Sequence, residues 1–234
     1  MNTISCLVLK IFEQFTNQNS LINGNLIRKD FCNSRFDIIL LNILYTHLFQ
    51  SFNDYRKLFR TVLFITSLLA EAAIDKGLPV FTSETHGMAQ RGGTVVSHFK
   101  VGDFSSPLIR QFKADGLLVL KDENVAQHSA FLKKGGWAVV NSDNDLKAEK
   151  KMAASAIDAD KLAQEISNPK SANLIVLGFA LARASRISKD RINLFCSLAD
   201  IKKVLKKRFV SRKKLLDTSI RALEAGYKEF IKSA

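Results

Sequence analysis

Cysteine is scarce in this chain. The three present, Cys6, Cys32 and Cys196, lie far apart, and no Cys-x-x-Cys pair exists. A zinc ribbon or a cysteine-ligated iron–sulfur cluster held by this chain alone is therefore excluded. Scattered thiols also fit a reducing cytosol better than a disulfide scaffold. Long apolar runs are missing too. The stretch from Ile38 to Asn53 is uncharged, but Asn42, His47 and Gln50 interrupt it, and it falls short of the roughly 18–20 apolar residues of a membrane span. The opening residues have no basic segment followed by an apolar core, so no signal peptide is expected. No Gly-x-Ser-x-Gly elbow and no Walker loop occur, which removes two common enzyme classes. The expectation is a cytoplasmic protein.

Acidic residues are few relative to basic ones: 22 against 35, for a net charge of +13. Much of the excess falls late. Lys202, Lys203, Lys206, Lys207, Arg208, Arg212, Lys213 and Lys214 follow one another with no acid between them. Such a run suits nucleic acid or an acidic partner. It equally suits a solvated helix face, because Ile201, Val204, Leu205, Phe209, Val210 and Leu215 recur beneath it at helical spacing. Apart from Phe209 in that apolar stripe, no aromatic interleaves the lysines to build a stacking platform, which favours the face or the acidic partner over nucleic acid.

Glycine is nearly absent from the first sixty residues, where only Gly24 occurs, but dense in one later stretch. Residues 82–94 gather Glu84, His86, Gly87, Gln90, Arg91, Gly92 and Gly93. Strand-like runs flank them, Leu78 to Phe81 before and Thr94 to Phe99 after. Polar groups converging on a loop between buried strands are where α/β proteins commonly place function. Gly87, Gly92 and Gly93 allow close approach of a ligand or another backbone. Arg91 offers a planar fork suited to carboxylate or phosphate. Glu84 and His86 form a candidate acid/base pair, or else they bond the loop into shape. Gln90 and Arg91 hold an anionic group, or else form a salt bridge across a subunit interface. His98 reads as a satisfied sheet histidine, His128 as inert on a surface helix, and Asn173 as a backbone-bonding residue in an apolar helix.

Elsewhere the pattern alternates. A helix is expected from Arg56, with Leu58, Val62, Ile65, Leu69 and Ala73 on one face and a stop at Gly77-Leu78-Pro79. A strand follows over 115–120, a helix over 125–132 ended by Gly135-Gly136, and a strand over 137–141. Residues 144–161 read as a polar surface loop or helix. Asn168-Pro169 breaks the next helical pattern, residues 171–185 form an apolar helix, Ser188 caps another, and residues 215–231 form an amphipathic terminal helix. The fold class is α/β: three layers, a parallel or mixed central sheet with helices on both faces, and a helical C-terminal part. Residues 1–60 are set apart as an atypical N-terminal extension, and 61–234 as the catalytic-type domain.

The stretch Glu84-Thr85-His86-Gly87-Met88-Ala89-Gln90-Arg91-Gly92-Gly93 resembles the signature loop of the gamma subunits, or gamma domains, of 2-oxoacid:ferredoxin oxidoreductases, most of all the indolepyruvate branch. Further segments are similar in the same order: Ser106-Pro107-Leu108-Ile109, Ala114-Asp115-Gly116-Leu117-Leu118, Leu132 to Asn141, Ser171 to Gly178, and Ala222 to Tyr227. The resemblance covers roughly residues 67–227. It implies one subunit of a multisubunit complex that oxidatively decarboxylates indolepyruvate, pyruvate or a related 2-oxo acid. Thiamine diphosphate, Mg and iron–sulfur clusters would sit on partner subunits, with coenzyme A as acyl acceptor and ferredoxin as electron acceptor. This chain would bind none of these alone, since it lacks a Gly-Asp-Gly run with downstream asparagines. Glu84 and His86 are carried over as catalytic candidates, and Gly87, Gln90, Arg91, Gly92 and Gly93 as cofactor-contacting ones. An inactive remnant or an assembly module of the same fold is the alternative.

One departure bears on activity. The family opens with a strand and a glycine-rich turn before the first helix, where backbone N–H groups can meet a phosphate. Here residues 54–61, Asp-Tyr-Arg-Lys-Leu-Phe-Arg-Thr, contain no glycine. The upstream sequence reads as foreign to the fold. The first strand is then either missing or improvised from Ile38 to Tyr45.

Overall fold

The computed structural model of the protein describes residues 36–43, 52–86, 94–122, 125–143, 153–186 and 195–233. They belong to one compact unit, Ser34–Ala234. Its centre is a six-stranded mixed sheet in the order β2-β3-β1-β4-β5-β6. The strands are β1 (Phe36–Ile43), β2 (Val80–His86), β3 (Thr94–Val101), β4 (Ala114–Val119), β5 (Leu132–Asn141) and β6 (Ala153–Ile157). β1, β4, β5 and β6 run parallel to one another. β3 is antiparallel to both β1 and β2. β1 occupies the interior of the sheet, so a strand does form where the sequence left it missing or improvised. Its sequence, Phe-Asp-Ile-Ile-Leu-Leu-Asn-Ile, is rich in the apolar and β-branched residues that a strand flanked on both sides takes.

The helices are α1 (Phe52–Ile74), α2 (Val125–His128), α3 (Ala159–Glu165), α4 (Ala172–Arg186), α5 (Leu198–Arg208) and α6 (Lys213–Ser233). One face of the sheet is covered by α1, α3, α4, α5 and α6. Val62, Ile65, Leu68 and Leu69 of α1 meet Phe99, Leu118 and Val139 of the sheet, Ile175 and Leu177 of α4, and Val204 and Leu205 of α5. The expected stripe on α1 is thus buried at Val62, Ile65, Leu69 and Ala73, while the side chain of Leu58 lies outside the described residues. The stop also falls where glycine predicts it. Gly77 is left-handed (φ 71°), its N–H bonds the Ile74 carbonyl at 2.9 Å, and the Leu78 N–H returns to Ala73 at 3.0 Å. Those paired bonds close a Schellman motif and satisfy the last carbonyls of the helix.

α4 and α6 approach each other most closely. A methyl group at Gly178 would strike the Leu223 carbonyl, and one at Gly226 would strike the Ile175 carbonyl. Each glycine therefore serves as the flat spot against the opposite backbone. Both lie in segments that carried the family resemblance.

The other face has a smaller apolar cluster: Val96, Ile109, Ala114, Leu117, Val119, Val125, Leu132, Ala138 and Val140. Its cover is α2, the following 3-10 turn (Ser129–Phe131), and a strap of irregular chain over residues 102–113.

Several boundaries differ from the sequence reading. α1 begins at Phe52 rather than Arg56. The helix expected over 125–132 is only one α-turn and one 3-10 turn, and Gly135-Gly136 lies inside β5 instead of ending a helix. Leu132 is drawn into pairing with Ala114, which a local pattern cannot foresee. β6, Ala-Ala-Ser-Ala-Ile, reads locally as helix or loop because alanine favours helix. Parallel pairing with β5 overrides that preference. Ser188 lies outside the described residues. The helix bearing the basic run is capped by Ser197, whose hydroxyl accepts from the Asp200 N–H while the Asp200 carboxylate accepts from the Ser197 N–H.

Candidate functional site

Strand direction decides where the glycine-rich loop emerges. β2 ends at His86 and β3 begins at Thr94. The register pairs His86 with Val95 in β3, and Thr94 with Ile43 at the carboxyl end of β1. Both stems of loop 87–93 therefore stand at the carboxyl edge of the parallel strands, the edge where open α/β sheets place their ligands. Glu84 and His86 belong to β2. Glu84 is partly exposed and faces Ser97 of β3 across the ladder. Ser97 is fully buried, and its hydroxyl accepts from Thr66 of α1 at 2.9 Å. Gly87, Gln90, Arg91, Gly92 and Gly93 lie outside the described residues.

The same edge holds a polar network that sequence reasoning missed. Asn141 ends β5 and is buried. Its Oδ1 accepts from the Ala159 N–H at 2.8 Å, at the start of α3. Its Nδ2 donates to the Leu120 carbonyl (3.2 Å) and to Asp160 (3.0 Å). One amide thereby ties the carboxyl ends of β4 and β5 to α3. Lys121 reaches Asp160 at 3.1 Å, the Ser142 hydroxyl donates to Asp122 at 2.5 Å, and Asp158 caps α3 through the Lys161 N–H at 2.8 Å. The sequence signal for Asn141 was its place at the end of a resembling segment. Its partners come from three separate stretches, so spacing could not reveal them.

The remaining candidates resolve one by one. His98 is a satisfied sheet histidine: its Nδ1 accepts from the Ile109 N–H at 3.2 Å. Burial, and then the nearby Lys100 charge, push its pKa down, so it stays neutral. Asn173 bonds backbone as expected, accepting from the Leu174 N–H at 2.9 Å. His128 does not sit on a surface. It is buried, neither ring nitrogen has a hydrogen-bond partner among the described residues, and the ring stacks on Phe131 with centroids 6.2 Å apart. Burial lowers its pKa as well. The short α2 turns inward over the sheet, which is why a surface-helix reading fails. Cys196 is buried, and burial pushes its thiol pKa well up, leaving it unreactive. Among the described residues no group of three or more His, Cys, Asp or Glu is arranged to hold a metal ion. Nor is any described helix long and apolar enough to cross a membrane.

Half of the basic run, all of it on α5, is occupied inside the molecule. Lys207 binds Asp75 at 2.7 Å, and Lys203 adds a longer contact at 3.6 Å. Arg208 pairs with Glu71, donates to Ser67 at 2.8 Å and lies over the Phe64 ring. Lys202 meets Glu224 at 2.5 Å. The Lys207 hydrogen bond, with the Lys207 and Lys203 charges, holds Asp75 below its ordinary pKa despite the opposing effect of burial. The acidic partner for this helix is therefore largely α1 and α6 of the same chain.

Comparison with known proteins agrees with this architecture. The family model described as pyruvate ferredoxin/flavodoxin oxidoreductase matches residues 61–229. An indolepyruvate oxidoreductase subunit IorB from Archaeoglobus fulgidus is 26% identical over 186 residues, covering 71% of this chain and 88% of the relative. The protein of the same name from Thermococcus kodakarensis is 29% identical over 189 residues, covering 71% and 89%. The crystal structure of a keto/oxoacid ferredoxin oxidoreductase gamma subunit from Geobacter sulfurreducens superposes with a TM-score of 0.60 at 20% identity, covering 84% of this chain and 99% of that one. By the extent of the family match, this chain belongs to the pyruvate ferredoxin/flavodoxin oxidoreductase family.

Proposed function

We propose that this chain is the gamma-type subunit of a thiamine-diphosphate-dependent 2-oxoacid:ferredoxin oxidoreductase, acting on indolepyruvate, pyruvate or a related 2-oxo acid. The observation that carries this reading is the position of the loop stems. His86 and Thr94 bring the family-like loop out at the carboxyl edge beside β1, where it can close the wall of a site built on a neighbouring subunit.

The residues of this chain do not fit the cofactor itself. Asp115-Gly116 is the nearest approach to a thiamine-type motif. Its carboxylate is ion-paired with Lys133, and its glycine is pressed against the Trp137 ring. Neither is available to a diphosphate or its metal, so no step of the cofactor's chemistry is assigned to this chain. Thiamine diphosphate on the partner would supply the electron sink for decarboxylation. Here Gln90 and Arg91 orient an anionic group at the wall, Gly87, Gly92 and Gly93 allow close backbone approach, and Glu84 and His86 hold a proton and the shape of the loop.

The test is co-expression with the thiamine-binding and cluster-bearing subunits from the same genome, followed by ferredoxin reduction with a panel of 2-oxo acids. Turnover is expected from the complex and not from the chain alone. Arg91→Met is expected to raise KM about tenfold, as loss of a charge-assisted anion contact does. Unchanged kinetics in Arg91→Met and Glu84→Gln would sink the wall assignment.

A second reading, an inactive remnant or assembly module, is favoured by one observation. α1 runs unbroken through residues 54–61, where the family resemblance calls for a glycine-rich turn. A stable complex with no turnover on any 2-oxo acid would select it.

A further inference from the structure

The strap over residues 102–113 is rigidly held and yet turns apolar side chains outward. Two buried residues of β3 hold it from below. Lys100 donates to the Ser106 carbonyl at 3.0 Å, with its ammonium over the Phe104 ring, and His98 accepts from the Ile109 N–H. At its end the Phe112 N–H bonds the Ala130 carbonyl at 2.8 Å, and the Lys113 N–H bonds Phe131 at 3.0 Å. In this setting Phe112 takes a left-handed backbone (φ 60°) and is 65% exposed, while Leu108 is 49% exposed. A bulky side chain at φ > 0 is strained, and glycine or asparagine is the usual solution. Here that left-handed backbone carries an aromatic ring exposed to water.

The exposed charges nearest Phe112 along the strap are basic, and the strap's one acid, Asp103, lies at its other end. Arg110 and Lys113 flank Phe112 and are exposed, and Lys133 and Lys134 stand on the adjacent start of β5. The acid of the neighbouring strand, Asp115, is taken by Lys133. Among the described residues Arg110, Lys113 and Lys134 have no ion-pair partner. The feature sits where β4 and β5 begin, at the opposite edge of the sheet from the loop stems.

We propose that Phe112 and Leu108, with the exposed Arg110 and Lys113 of the same strap and Lys134 at the start of β5, form a docking knob for an acidic-rimmed apolar pocket on another subunit of the complex. This rests on the subunit reading above. An aromatic anchor within a charged rim is the ordinary anatomy of a specific interface. The basic rim complements an acidic one and steers encounter. The pinned strap fixes the anchor beforehand, so little ordering remains at binding.

The experiment measures affinity of the full chain for the purified thiamine-binding and cluster-bearing subunits at low and moderate salt. Phe112→Gly removes the ring and relieves the backbone, so the thermal midpoint should hold or rise while affinity falls about tenfold or more. The double change Arg110→Glu, Lys113→Glu should weaken binding by a similar factor and flatten its salt dependence. Lys213→Glu with Lys214→Glu, on α6, matches that charge change elsewhere and should leave affinity within about threefold. Tight binding by the wild type with Phe112→Gly and the Arg110/Lys113 reversal both within about twofold overturns the knob and leaves the subunit reading standing. Failure of the wild-type chain to associate overturns the subunit reading and the knob with it.

Discussion

The two faces of the sheet are built on different principles. The face under α1, α4, α5 and α6 is closed by shape: apolar side chains at helical spacing, two glycines that let helices touch, and ion pairs around the outside. The face under the strap is closed by polar staples. Lys100 and His98 reach up from β3 to hold irregular chain, and His128 is buried with no hydrogen-bond partner among the described residues. A helix satisfies its own backbone and needs only an apolar stripe to dock. Irregular chain leaves backbone groups to be satisfied from outside, and here strand side chains supply that. The first arrangement yields stability. The second can keep strained or unpartnered groups, which are characteristic of surfaces that work.

The largest break in this contrast should come from the helical face. Gly178→Val or Gly226→Val forces α4 and α6 apart, and a loss of about 3 kcal/mol or more in urea unfolding is expected, at or above the upper end for overpacking. A loss below about 1 kcal/mol would mean that the two helices can slide. Phe99→Ala, at a position fully buried between α1 and the sheet, should cost about 3–5 kcal/mol by the same measurement. Lys100→Ala should cost less, about 1–2 kcal/mol, because it removes one staple and leaves the Ser106 carbonyl to water. Its signature should be local: faster hydrogen exchange at Ile109 and Lys113 with the helical face unchanged. Arg208→Ala should cost about 1 kcal/mol, diminishing with salt, since the Glu71 pair is partly exposed.

The smallest effect concerns pH. His98 and His128 both have pKa values below the ordinary 6.5, and burial is the leading cause in each. The unfolded chain then binds protons more readily than the folded one. Their contribution to stability is full above about pH 6.5 and is lost as pH falls from there through the lowered folded-state values. The thermal midpoint should therefore drop between pH 7 and 5. His128→Phe should shrink the drop without loss at pH 7, because an orphaned imidazole becomes an apolar ring beside Phe131. An unaltered pH slope in His128→Phe would assign the effect to other groups.

How much was legible in the sequence follows the same division. The stripe Val62, Ile65, Leu69, Ala73 and the stop at Gly77 were readable because a helix records its buried face every three or four residues. The core strand over 115–120 was readable as a continuous apolar run. β6 was not, since alanines carry no strand signal until β5 lies beside them. His128 was misread because one turn of helix has too few residues to show a face. The acids that pair with half of the basic run, Asp75, Glu71 and Glu224, belong to other helices, so its spacing left a solvated face and an acidic partner undecided. At the candidate site the loop was conspicuous by composition, whereas Asn141 and its partners were invisible as a cluster.

By itself, the sequence determined most of the alternation of helix and strand, the family and the loop of unusual composition, because periodicity, glycine and motif order are local properties of the chain. The tertiary structure decided which edge of the sheet that loop leaves from, which charges cancel one another, and that Phe112 stands out in water. Those outcomes depend on strand direction and on contacts between residues far apart in the chain, which local spacing cannot encode.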